Sequence, residues 1–128
     1  MKQSEESSGF GEKMTDYTEV TGKTTISPEV LVSIAKLTTL DVTGVSRLTA
    51  PLGNIGHFIR ASASDGVKIV VEEETVYIDL FVVLNRDINI REVSHTIQSR
   101  VTRAIQEMVG MEVGRVNIHV EDIDYSHP

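Results

Sequence analysis

The sequence predicts an α+β fold: a two-layer sandwich with two main helices on one face of a small, mostly antiparallel or mixed sheet, in the order (β)αβββαβ. Three observations predict it. Apolar residues recur at helical spacing near residues 27–40 and 90–108, and elsewhere they alternate at strand spacing. Each of these elements has one apolar side to hide, and two packed layers hide all of them. A length of 128 residues with 40% apolar content suffices for one such core.

A candidate first strand, Val20–Thr25, opens the series. Ser27-Pro28-Glu29 then starts a helix, because Ser caps orphan amides, Pro is preorganised for the first helical position, and Glu favours the positive end of the dipole. Val30, Ile34 and Leu37, flanked by Leu31, Ala35 and Leu40, give this helix its expected apolar stripe over 27–40. Gly44 and the β-branched residues around it end the helix and lead into a short strand near 44–49. From Pro51 to Gly66 the chain reads as irregular.

Val67, Ile69 and Val71 share one face and Lys68 and Glu72 the other, which predicts a half-buried strand that reverses at Glu73-Glu74. The next strand is central. Val76, Ile78, Leu80, Val82 and Leu84 form one face, while Tyr77, Phe81 and Val83 make the opposite face partly apolar. After the turn Asn85-Arg86-Asp87, the series Ile90, Val93, Ile97, Val101, Ala104, Ile105 and Met108 marks a long amphipathic helix ending near Gly110. Val116, Ile118 and Val120, alternating with Arg115, Asn117, His119 and Glu121, make the last strand.

Residues 1–19 are polar and Gly/Ser-rich, too poor in apolar side chains to offset their ordering entropy, and read as a tail. Residues 20–124 form the single domain and 125–128 a short tail. The N-terminus has no apolar signal region, and no run approaches the roughly 20 apolar residues of a membrane span. With no cysteine there is no disulfide framework, so the cytoplasm is the expected compartment. A formal charge of −7 repels nucleic acid and anionic lipid at long range.

Three constellations bear on chemistry. Gly53-Asn54-Ile55-Gly56 is a G-x-x-G turn of the kind that can approach phosphates, and Arg47, His57, Arg60 and Lys68 make its neighbourhood basic. The helical context of such loops is missing here, so turn chemistry is the plainer reading and a nucleic-acid-binding module the alternative. His119 and Glu121 share a strand face and offer two metal ligands, with no third fixed by spacing; no cofactor is expected. Arg100, Arg103 and Glu107 lie on the polar side of the second helix, as a solvated face or a docking surface. Glu72-Glu73-Glu74 reads as a solvated hairpin tip.

Three blocks carry a resemblance: Gly22-Lys23 through "ISPEVLVSIAKL" into "DVTGVSRL"; "GVKIVVEEETVYIDLFVVL"; and "IREVSHTIQSRVTRAIQEMVGMEVGRVNIHVEDI". Over about residues 22–123 the chain resembles the alkaline shock, or Gls-type envelope stress response, proteins of bacteria. The resemblance implies a small α+β domain without known enzymatic activity, cytoplasmic and linked to envelope stress and homeostasis. It also implies assembly with its own copies, or retention near the membrane by a separate anchor protein. The expected function is a non-catalytic scaffold that docks through a strand edge or helix face. Val116, Ile118 and Val120 of the last strand, with Arg100, Arg103 and Glu107, are the expected contact residues.

Overall fold

The Glu29 amide donates to Ser27 Oγ at 3.2 Å and Pro28 takes the first helical position, so helix α1 (Pro28–Leu40) begins where its cap predicts. The computed structural model describes residues 22–51, 61–64 and 66–126. Strands β1 (Val45–Leu48), β2 (Ala61–Ser64), β3 (Val67–Glu72) and β4 (Thr75–Asn85) follow, then helix α2 (Ile90–Val109) and strand β5 (Glu112–Asp124). The α2 cap is Asn89, whose Oδ1 accepts from the Glu92 amide at 3.0 Å. Gly110 ends the helix in the left-handed region at φ 80°.

Central β4 organises the sheet. One of its edges pairs antiparallel with β3, from Val67↔Leu80 to Glu72↔Thr75, and beyond that with β1, from Leu48↔Val82 to Val45↔Leu84. The change of partner falls at Phe81, whose amide donates to the Gly66 carbonyl at 2.8 Å and whose carbonyl accepts from the Thr49 amide at 2.9 Å. Along its other edge β4 pairs parallel with β5, from Thr75↔Glu112 to Asn85↔Asp124. β2 extends the sheet on the far side of β3. The sheet is therefore mixed, and α2 is the crossover that joins its two parallel strands.

Both helices pack on the face formed by Val76, Ile78, Leu80, Val82 and Leu84, all fully buried. Leu31 and Ala35 of α1 and Ile97, Val101 and Ile105 of α2 meet them there, together with Val67, Ile69 and Val116. The β3–β4 hairpin turns at Glu73 and Glu74, both at positive φ (50° and 71°), as a short two-residue connection requires. Their side chains, like that of Glu72, are exposed.

Four expectations need correction. The buried stripe of α1 is Leu31, Val32, Ala35 and Thr39, while Val30 and Leu37 are exposed. Thr39 enters the core because its hydroxyl donates to the Ala35 carbonyl at 2.7 Å, so the helix rotates about one residue from the purely apolar stripe. On α2, Ile97, Val101 and Ile105 are buried, but Ile90 and Met108, at the two ends, are exposed. Residues 22–25 form no strand; Gly22 at φ 131° departs from extended geometry and the chain leads directly into the Ser27 cap. Val20 and Thr21 lie outside the described residues. Within the segment read as irregular, β2 pairs Ala61↔Val70 through Ser64↔Val67, held by its backbone ladder without apolar alternation.

Candidate interaction surface

The last strand is longer than its apolar core suggests, because two inserted residues let it follow β4 over its whole length. The pairing skips Gly114 between Val113 and Arg115, and Glu121 between Val120 and Asp122. Gly114 sits tightly under the Tyr77 ring: a Cβ there would lie 2.5 Å from it, so the ring would have to shift. The Arg115 guanidinium lies 5.5 Å from the centre of that ring.

β4 occupies one edge of β5, and no described strand occupies the other. The Arg86 amide donates to the Asp124 carbonyl, so Asp124 turns its peptide groups toward β4. Asp124, paired with Asn85, lies on the face away from the helices. The pleat consequently turns the peptide groups of the core-facing residues Val116, Ile118 and Val120 toward the outer edge. One outward group is covered: Gln98 of α2 donates from Nε2 to the Val116 carbonyl at 3.1 Å. Of the three side chains, Val116 is buried in the core, Ile118 packs against it, and Val120 is exposed. Any docking here runs through main chain, with side chains setting register.

On the outer helix layer the charged residues pair. Arg100 Nη2 lies 2.7 Å from Asp41 Oδ2, joining α2 to the end of α1, and Arg103 Nε lies 3.0 Å from Glu107 Oε2. Between them runs an open groove of about 570 Å³ whose lining includes Ile34, Leu37, Ala104 and Met108. Leu37 and Met108 are 67% and 70% exposed.

The sheet face away from the helices carries a polar cluster around Asp79 of β4. His119 Nε2 lies 2.8 Å from Asp79 Oδ1, Asn117 Nδ2 donates to the same oxygen at 3.1 Å, and Lys68 Nζ lies 3.7 Å from Oδ2. Burial alone would raise the Asp79 carboxyl, but the His119 and Asn117 hydrogen bonds and the Lys68 and His119 charges outweigh it and hold it below its usual value. The His119 ring stacks on Phe81, with centroids 4.6 Å apart. The lone polar residue inside the apolar run "VYIDLFVV" is the sequence signal for this cluster.

His119 thus faces Asp79, and Glu121 stands exposed at the second bulge. Among the described residues no group of three or more His, Cys, Asp or Glu side chains could hold a metal. Of the basic set, Arg47 lies 3.7 Å from Asp124 and Lys68 faces Asp79. Gly53, Gly56, His57 and Arg60 lie outside the described residues.

This arrangement of elements coincides with a family match. The sequence profile of the alkaline shock protein 23 family, described by its cell envelope-related function, matches residues 16–125. The chain belongs to that family. Among curated relatives, the uncharacterized protein Spy1535 of Streptococcus pyogenes is 36% identical over 107 residues, covering 83% of this chain and 82% of the relative. The uncharacterized protein YqhY of Bacillus subtilis is 26% identical over 106 residues, covering 81% and 78%. A solved zinc form of the MamM CTD aligns with a TM-score of 0.48 at 9% identity, covering 77% of this chain and 89% of that one, a likeness too distant to bear on function. Within this alkaline shock domain, no described helix is long and apolar enough to cross a membrane.

Proposed function

We propose that the chain is a non-enzymatic scaffold of cell-envelope homeostasis and envelope stress response, working through protein contacts that include its own copies. It acts in the cytoplasm and reaches the membrane through an anchor protein. The observation that carries this reading is the outer edge of β5, where Val116, Ile118 and Val120 direct peptide groups away from the described sheet. Such an edge takes another extended segment by backbone hydrogen bonding. The membership of a cell envelope-related family supports the setting. The engagement of Asp79 and His119 with each other supports a structural rather than catalytic use of that cluster.

Light scattering on the full chain over a concentration series tests the reading. The expected mass rises above the 14.1 kDa of one chain. A single-chain mass at every concentration, together with no membrane-fraction protein retained on the immobilised chain, would overturn it.

A further inference from the structure

We infer that two copies join through β5 in one register, antiparallel about a two-fold axis at Ile118. The inference rests on the scaffold reading and names the surface, the partner and the alignment. The bulges at Gly114 and Glu121 bound a regular edge, Arg115–Val120, and Glu121 is the inserted residue that closes it, so the segment offered to a partner reads "RVNIHVE".

That stretch complements its own reverse. With Ile118 on the axis, Val116 faces the partner's Val120 and Asn117 faces the partner's His119, while Arg115 faces the partner's Glu121. Hydrogen bonding agrees with this alignment: Val116, Ile118 and Val120 are the residues whose peptide groups point outward, so each outward group meets another. Shifting the axis by one residue loses the Arg–Glu match. It occurs twice across the axis, so opposite charges select one register.

The neighbouring helix suits the same arrangement. Gln98 marks the flank of α2 beside β5, and His95, Thr102 and Gln106 share that flank at helical spacing. This stripe holds no carboxylate and no lysine, and Arg103 on the same surface is paired with Glu107, which limits like-charge repulsion between α2 and its partner copy across the axis. Pairing the two strands continues one five-stranded sheet into the other.

Charge reversal tests the register in the full chain by sedimentation. Arg115→Glu and Glu121→Arg each replace two attractive pairs by two repulsive ones, and each is expected to weaken self-association about tenfold, the combined variant restoring it. Single reversals without effect, or a combined variant as weak as either alone, overturn the alignment. Ile118→Cys supplies the only thiol of a cysteine-free chain. Facing residues in an antiparallel pair sit within disulfide reach, so mild oxidation is expected to give a covalent dimer. Leu37→Cys, on the outer helix groove, is expected to give none. Cross-linking through Leu37→Cys but not Ile118→Cys overturns the strand interface while leaving self-assembly standing; a wild-type chain that never associates removes both.

Discussion

His119 Nε2 lies 2.8 Å from Asp79 Oδ1, so a side-chain bridge ties β5 to β4 in addition to their parallel ladder. Asp79 also takes an amide hydrogen from Asn117 and the charge of Lys68, which joins three adjacent strands at one carboxylate.

This bridge has a predictable acid limb. Because the folded Asp79 carboxyl is held below its usual value, its stabilising contribution is complete above the unfolded value of about 3.9 and fades as pH falls through the folded one. Asp79→Asn is expected to remove that part of the pH dependence, so wild type and variant converge below about pH 4. At pH 7 the loss of charged hydrogen bonds costs about 1.5 kcal/mol, read from urea midpoints. Parallel curves for the two proteins from pH 7 to pH 3 would contradict the assignment.

A second expectation concerns the point where β4 changes partners. Gly66 has φ 92°, and a Cβ there would lie 2.6 Å from the Thr49 carbonyl oxygen and 2.8 Å from its nitrogen. Gly66→Ala therefore combines backbone strain with a clash against main chain, and is expected to cost about 3 kcal/mol in thermal or urea unfolding. An unchanged midpoint would show that β1 and β3 can separate without penalty.

Much of this architecture is written locally, in signals that act within a few residues. The Ser27-Pro28 cap, the Gly110 stop and the alternation along Val76–Leu84 mark α1, α2 and the central strand because capping, left-handed backbone and pleat depend on near neighbours. What escaped is either invisible to hydropathy or depends on partners far along the chain. The stripe of α1 turned because Thr39 satisfies its hydroxyl internally, which hydropathy does not register. β2 has the sequence "ASAS", and its ladder with β3 supplies what its side chains do not signal. The reach of β5 to Glu112 and Asp124 follows from bulges fitted to β4. Among surface residues, Arg103 and Glu107 pair at the helical spacing expected of them, whereas Gln98, which covers the edge of β5, gives no sign in sequence of the carbonyl it reaches.

The rotated stripe of α1 yields a paired measurement. Leu37 is 67% exposed, so Leu37→Glu is expected to change stability by no more than about 0.5 kcal/mol. Ile97 is fully buried beneath the same helix layer, and Ile97→Ala is expected to cost about 3 kcal/mol through lost burial and a residual cavity. Urea unfolding of the two variants distinguishes the stripes. A Leu37→Glu loss as large as that of Ile97→Ala would return Leu37 to the core.

Gln98 supplies the last expectation. Its amide holds the Val116 carbonyl from the helix side, at the edge where a second copy is inferred to pair. A carbonyl oxygen has two lone pairs, so the contact does not forbid an incoming strand, but it weakens the acceptor and narrows the approach. Gln98→Ala removes this cover at a stability cost of about 1 kcal/mol or less and is expected to tighten self-association roughly threefold by sedimentation. Tightening must disappear when Gln98→Ala is combined with Arg115→Glu, since the freed carbonyl helps only a strand in the right register. Weaker association of Gln98→Ala alone would instead make Gln98 part of the contact, with its amide reaching across to the second copy.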